Sequence, residues 1–359
     1  MLVARRIIDP RTEASSRPDR KPVMLRAYVV APVIAAAMLV FTLVTGGHYG
    51  IALRDPDGVV GSRMFLLAGI IALFWALDVV PRAARQSRST GRPFVETVIA
   101  TARARWTLRR MGVVLGSIVA FYVTYLCYRN VKSYLPLARP ELLDTQMLAL
   151  ERDVFGDDPA TILHEILGTG IAAHVLSTVY LLFLTFVPIS LGFALVWSTD
   201  TATGLWWVSA LSLNWVFGAI SYFLVPTMGP AFAAPELFNT LPDTGASALQ
   251  QTLLEHRQTF LHSPIGSGEL QSIAAFASLH VAIVFTGALM VQILGAPRPL
   301  RYGMWTFFCL TVLATIYFGW HYVLDDVAGL AIGFAAVYLG ARLTGWRIER
   351  TRQVTAIAT

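Results

Sequence analysis

The chain has 359 residues, of which 55% are apolar and 14% are charged, and its mean hydropathy is +0.60. Soluble domains carry about a quarter charged residues, so this composition excludes an ordinary soluble domain and indicates a membrane protein. The formal net charge of +6 does not indicate a nucleic-acid partner, because the basic residues lie in separate connections between apolar segments.

Eight apolar segments are candidate membrane spans, since about 20 residues cross the hydrocarbon core of a bilayer. They are residues 25–45, 64–80, 111–128, 173–197, 205–225, 276–294, 303–319 and 327–345. The second is the weakest, because it is short and contains Asp78. The sequence therefore predicts an all-α, polytopic membrane protein with eight spans.

The basic residues predict the orientation of these spans. Of the 28 Lys and Arg residues, 21 lie in alternate connections, namely 5–26, 82–110, 298–301 and 342–352. Because cytoplasmic connections are enriched in Lys and Arg, both termini are expected in the cytoplasm. The chain is expected to lie in the inner (plasma) membrane, with the connections 46–63, 129–172, 226–275 and 320–326 facing outward.

Two of the connections have recognisable features. Residues 94–106 show helical spacing of apolar residues among arginines, which is typical of an amphipathic helix on the inner leaflet. Residues 140–170 predict one or two short helices on the outer face, with a helix start at Asp158 and Pro159 and with His164 and Glu165 on the surface. The long outer connection 238–271 is expected to gate a substrate site.

A histidine and a carboxylate four residues apart, His321 and Asp325, fall on one face if both are helical. The carboxylate can hold one ring nitrogen and leave the other free to attack, as in a catalytic triad. A second histidine, His280 in the phrase ASLH, can give a proton to a leaving alcohol. Asp326 is interpreted as a solvated neighbour or a helix cap. This chemistry requires neither a metal ion nor a cofactor.

Three outward basic residues, Arg129, Lys132 and Arg139, emerge beside the membrane after the third span. They allow two explanations. Long basic side chains commonly extend from a span end to the interface, and such groups also bind phosphate well. The sequence leaves both open.

These motifs resemble the type 2 phosphatidic acid phosphatase superfamily. SLH at 278–280, HYVLD at 321–325 and Gly329 are similar to its later motifs, most closely in the branch that contains inositol phosphorylceramide synthase. The resemblance covers residues 111–345 and implies a six-helix catalytic core. It also implies that His321 is a nucleophile that becomes phosphorylated, that His280 is the acid and that Asp325 orients the nucleophile.

The sequence departs from the phosphatase pattern at several positions. Ala277 and Leu279 replace a proline and a glycine, and Thr315 replaces an arginine six residues before the nucleophile. A literal KxxxxxxRP occurs at 132–140, two spans earlier than the family order. Either it is a chance match, or it supplies phosphate ligands from a neighbouring helix end. The resemblance then implies that Ser278 and Thr315, together with the three outward basic residues, bind the phosphate oxygens.

The sequence therefore predicts four regions and one leading function. The regions are a disordered tail (1–22), two extra N-terminal spans with a basic segment (23–110), the six-span core (111–345) and a cytoplasmic tail (346–359). The leading function is transfer of a phosphoryl or phospho-head group from a lipid at the outer leaflet, similar to an inositolphosphotransferase. A lipid phosphate phosphatase that uses water and a non-catalytic lipid carrier on the same scaffold are the alternatives.

Overall fold

A computed structural model describes residues 21–55, 62–197 and 201–346. The tails expected at 1–22 and 346–359 fall almost entirely outside these residues. About 80% of the described part of the chain is helical, and no β-strand occurs there. The fold class predicted from the sequence is confirmed at this level.

Fourteen α-helices follow one another along the described residues. They are α1 (Lys21–Tyr49), α2 (Ser62–Thr90), α3 (Phe94–Arg105), α4 (Leu108–Ser133), α5 (Leu135–Ala138), α6 (Asp144–Phe155), α7 (Pro159–Leu167), α8 (Ile171–Gly192), α9 (Thr201–Leu224), α10 (Pro230–Ala233), α11 (Gly245–His262), α12 (Leu279–Ile293), α13 (Arg298–Tyr317) and α14 (Val323–Thr344). A short π-helical segment, Phe193–Trp197, extends α8. The eight predicted spans coincide with α1, α2, α4, α8, α9, α12, α13 and α14.

Five of these eight helices, α1, α4, α8, α9 and α14, are long and apolar enough to cross a membrane. Helix α12 is a shorter apolar helix of 15 residues. The chain is thus a multi-pass membrane protein, and the total of eight spans stays a prediction.

Helix α9 is the centre of the bundle. It contacts α1, α4, α12 and α14, and most of its side chains are buried, including Trp206, Trp207 and Trp215. A helix that is apolar all round is stable only when neighbours surround it. Helix α1 also packs along α4 and against α14, so this N-terminal helix is an integral part of the bundle.

At one end of the bundle, Asp78 of α2 is buried between two arginines. Its carboxylate accepts from Arg82 at 3.1 Å and from Arg105 of α3 at 2.8 Å. Pairing of this kind is what a buried carboxylate needs. The helix predicted at 94–106 is therefore present as α3, tied to α2, with Phe94 and Ile99 exposed.

Helices α6, α7 and α11 lie at the opposite end. Helix α7 begins at Pro159 after Asp158, as the sequence predicts. The surface position expected for His164 is wrong, because α7 packs against α13 and only 8% of His164 is exposed. Its Nε2 donates to the Tyr317 carbonyl at 2.8 Å. Glu165 is exposed, as expected.

Candidate active site

His321 lies in the connection between α13 and α14. Helix α13 ends at Tyr317, Gly319 turns the chain with φ +62°, and the His321 amide donates to the Thr315 carbonyl at 3.3 Å. Helix α14 begins only at Val323. The expectation that His321 and Asp325 share one helical face is therefore wrong, because His321 precedes the helix.

The ring of His321 is held in one tautomer by the backbone. Its Nδ1 lies 2.9 Å from the Ala275 carbonyl and 3.5 Å from Asp325 Oδ2. A carbonyl oxygen only accepts, so Nδ1 carries the proton and Nε2 keeps its lone pair. Asp325 Oδ2 also accepts the Tyr322 amide at 2.9 Å. The Ala275 carbonyl thus makes the close hydrogen bond that the sequence assigns to Asp325.

Burial, together with the nearby Lys132 ammonium, lowers the pKa of His321 to about 3. The hydrogen bond to Ala275 acts in the opposite direction and is outweighed. His321 is therefore neutral at physiological pH. A neutral imidazole with a free Nε2 lone pair is the form that can act as a nucleophile.

His280 is the second residue of α12, after the helix cap Ser278. Its ring centroid is 5.8 Å from that of His321. The side chain also stacks on Tyr180, with centroids 4.6 Å apart, and contacts Phe183 at 4.3 Å. The fold therefore brings together two histidines that are 41 positions apart in the sequence.

The two histidines line a cavity of about 100 Å³. It lies where α4, α9 and α13 end and where α8, α12 and α14 begin, away from the end that holds Asp78. Its lining is mainly aromatic and comprises Tyr128, Lys132, Tyr180, Phe183, Trp215, Tyr222, Met228, Phe232, Leu253, Ser272, Ile273, Ala274, Leu279, His280, Trp320 and His321.

Of the three outward basic residues, Lys132 lines the cavity. Its ammonium lies 4.7 Å from the centre of the Tyr222 ring and 5.9 Å from that of Tyr128. Arg129, one turn earlier, lies 3.4 Å from the hydroxyl of Ser272, which also lines the cavity. Arg139 lies outside the lining, is exposed and donates to the Phe223 carbonyl at 2.7 Å.

Ser278 and Thr315 are fully buried behind the histidines and do not line the cavity. Thr315 donates its hydroxyl to Asp326 at 3.0 Å, and the Ser278 side chain lies beside the same carboxylate. The interpretation of Asp326 as a solvated neighbour is wrong, since only 4% of it is exposed. Instead it links α12, α13 and α14 beneath the site.

Two buried acids that the sequence did not single out hold the connection that carries His321. Asp144 accepts the amides of Met228 and Gly229 at 2.9 to 3.0 Å and the Tyr322 hydroxyl at 2.9 Å. Glu151 accepts the Val323 amide at the start of α14. Neither acid belongs to a recognisable motif, so only the tertiary contacts reveal their role.

The fold and the cavity define a multi-pass helical membrane protein with two histidines facing one cavity at one end of its bundle. A family model described as the PAP2 superfamily matches residues 145–339. The chain belongs to the PAP2 superfamily, and this membership indicates a phosphatase or phosphotransferase activity on lipid phosphates. The matched region contains both histidines and Asp325. Comparison with curated proteins and with solved structures gives no match.

Proposed function

We propose that this protein transfers a phosphoryl or phospho-head group from a lipid to a hydroxyl acceptor through a phosphohistidine on His321, as an inositolphosphotransferase does. The observation that carries the proposal is the pairing of a neutral His321, its tautomer fixed by the Ala275 carbonyl, with His280 5.8 Å away across one cavity. The phosphorus of a lipid phosphate would lie between the two rings.

In the first step, the Nε2 lone pair of His321 attacks phosphorus. The bond between phosphorus and the lipid oxygen breaks, and protonated His280 gives its proton to that oxygen. The lipid alcohol leaves, and the phosphate group stays bound to His321. Asp325, 3.5 Å from Nδ1, stabilises the positive charge that the substituted ring acquires.

In the second step, an acceptor hydroxyl gives its proton to His280 while its oxygen attacks phosphorus. The phosphorus–nitrogen bond breaks, and the electron pair returns to Nε2. The aromatic lining restricts the entry of bulk water, and it therefore favours an alcohol over water as the acceptor. A lipid phosphate phosphatase, in which water is the acceptor, is the alternative product of the same mechanism.

Lys132 is the cationic phosphate ligand in this proposal, and Arg129 supports it from the next turn of α4. A cation in a partly enclosed cavity stabilises developing negative charge better than the same cation in water. The resemblance also implies phosphate ligands at Arg139, Ser278 and Thr315. These three residues do not line the cavity, so they would not contact the phosphate directly.

We further propose that the cavity opens at the outer leaflet of the inner membrane and that both termini are cytoplasmic. The cavity lies at the end of the bundle opposite to the basic connections, which include Arg82, Arg105 and Arg298. Since cytoplasmic connections concentrate Lys and Arg, this arrangement supports an extracytoplasmic site.

The experiment uses purified protein in detergent, offered phosphatidate, a polyprenyl phosphate or phosphatidylinositol, each with and without an alcohol acceptor. A new phosphodiester lipid supports the transferase, whereas free phosphate alone supports the phosphatase. His280→Ala and His321→Ala are each expected to abolish turnover. Activity that survives in His321→Ala refutes the mechanism. If the purified wild-type protein is inactive and His321→Ala still supports the protein's function in cells, the protein is the non-catalytic carrier. A metal chelator is expected to leave the rate unchanged.

A further inference from the structure

His280 is oriented by aromatic rings. Among the described residues, no hydrogen bond is formed by its imidazole, and its ring partners are Tyr180, Phe183 and His321. A proton donor must nevertheless hold a defined position, because a displacement of about 1 Å can cost about a hundredfold in rate. The stacked aromatic rings are therefore the candidates for fixing the position of His280.

Tyr180 of α8 is the shared member of a ring stack. It lies nearly parallel to His280, at 4.6 Å and 27°, and nearly parallel to Trp320, at 4.9 Å and 6°. Trp320 precedes His321 in the chain. The stack thus joins the segment that carries one histidine to the segment that carries the other, through a helix that contributes neither.

The three aromatic members are well packed. Tyr180 is 3% exposed, Phe183 is 6% exposed and Trp320 is 7% exposed. A near-parallel contact between an imidazolium and a tyrosine face is favourable, because the ring face is electron-rich. The charged or titratable groups near His280 are Tyr180, His321 and Lys132. Of these, the Tyr180 ring is the one stacked on the His280 imidazole.

We propose that Tyr180 is a positioning residue for the proton donor: its ring fixes the orientation of His280, and its stack with Trp320 fixes the separation of the two histidines. The inference rests on the proposed function, because it needs His280 to protonate the leaving group. Tyr180 lies on α8, far from either histidine motif in the sequence, and the ring alone, without its hydroxyl, is sufficient for the role.

The test compares a poor leaving group with a good one, since a good leaving group departs without a proton. Matched substrate pairs are phosphatidate with 4-nitrophenyl phosphate, and phosphatidylinositol with 4-nitrophenyl inositol phosphate; the pair that wild type accepts is used. Tyr180→Leu and Tyr180→Met remove the ring, and the flexible Met side chain can refill the space if the Leu variant does not fold. Because His280 also takes up a proton in the second step, the readout is the single-turnover rate of leaving-group release, which reports the first step alone. We expect this rate to fall by about a hundredfold or more on the lipid and by less than about threefold on the nitrophenyl ester.

Two controls separate positioning from general damage. Tyr180→Phe keeps the ring and is expected to restore most of the lipid activity. Tyr338→Leu removes a ring that contacts Phe334 at 4.4 Å on α14, away from the cavity, and is expected to leave both rates unchanged. Equal loss on both substrates, or no loss on either, in the Tyr180 variants overturns the inference.

The His280→Ala variant distinguishes failure of the inference from failure of the proposed function. If His280→Ala loses leaving-group release from the lipid but keeps it from the nitrophenyl ester, while Tyr180→Leu does not, only the role of Tyr180 is refuted. If His280→Ala slows leaving-group release equally from both substrates, His280 is not the acid, and the proposed mechanism falls together with the inference.

Discussion

Replacing Asp325 by Asn tests how the carboxylate contributes, because the structure separates its charge from the tautomer of His321. The tautomer is held by the Ala275 carbonyl at 2.9 Å, whereas Asp325 lies at 3.5 Å. Asn can still accept the Tyr322 amide, so the first turn of α14 stays capped. The substitution therefore removes the charge and little else.

The magnitude follows from this distance and from burial, since Asp325 is fully buried. With an effective dielectric constant of about 20, two unit charges 3.5 Å apart interact by about 5 kcal/mol. The phosphorylated ring carries the full charge and the transition state only part of it. Because about 1.4 kcal/mol corresponds to a tenfold change in rate, we expect phosphoenzyme formation to slow by about 10² to 10³-fold.

The assay is rapid-quench measurement of acid-labile label bound to the protein after mixing with a labelled lipid phosphate. Glu151→Gln is the matched control, because it removes a second buried carboxyl near the start of α14 while the Gln side-chain oxygen can still accept the Val323 amide. The control is expected to form phosphoenzyme within about threefold of the wild-type rate. An Asp325→Asn rate within tenfold of wild type would refute the reasoning, because the ring would then not sense the carboxylate charge.

Three further outcomes are expected. Burial raises the pKa of Glu151 from 4.5 to about 7, so the folded state binds this proton more tightly than the unfolded state. Thermal stability should therefore fall as the pH rises from about 5 to about 8. The fall should be shallower in Glu151→Gln, and an unchanged dependence on pH contradicts the raised pKa. Thr315→Val removes one of the two hydroxyls beside the buried Asp326, the other being that of Ser278. This should destabilise the fold by about 1 to 3 kcal/mol in a denaturation experiment, and an unchanged midpoint would show that the bond contributes nothing. Arg54 donates to three carbonyls within 264–269 at 2.6 to 2.7 Å, so Arg54→Met should speed proteolysis of that segment several-fold relative to wild type, and equal cleavage rates would exclude such a clamp.

The helices could be predicted from the sequence because apolar length is a local property. Each of the eight apolar segments coincides with a helix, and the start of α7 follows from Asp158 and Pro159. The orientation of the site relative to the basic connections follows from the same local counting. None of these inferences requires knowledge of which helices are neighbours.

The details of the site could not be predicted, because they depend on backbone groups and on partners from distant segments. The acceptor for His321 is the carbonyl of Ala275, and a carbonyl leaves no signature in a sequence. The sequence predicts a surface position for His164 because it cannot face its neighbour Glu165 on a helix, whereas its partner is the Tyr317 carbonyl. Asp326 was misplaced for a similar reason, since its donor Thr315 lies 11 positions earlier on another helix.

Helices α1 and α4, which precede the family match, also contribute to the site. The match begins at residue 145, yet the cation of the cavity, Lys132, lies before it. The backbone amide of Arg54, just after α1, donates to Asn130 Oδ1, and its carbonyl accepts from Asn130 Nδ2. The Arg54 side chain donates to carbonyls within 264–269. That segment leads into Gln271, whose side-chain amide donates to the Lys132 carbonyl at 2.6 Å.

The matched region thus supplies the two histidines, while helices outside it place the cavity cation and hold one wall of the cavity. If both histidines act on phosphorus as proposed, differences in lipid and acceptor have to arise from the wall and the cation. Replacing residues 264–271 by an unrelated sequence should therefore change substrate preference more than it changes the ability to form a phosphoenzyme. Arg54 and Asn130 are the contacts through which α1 and α4 would exert that control.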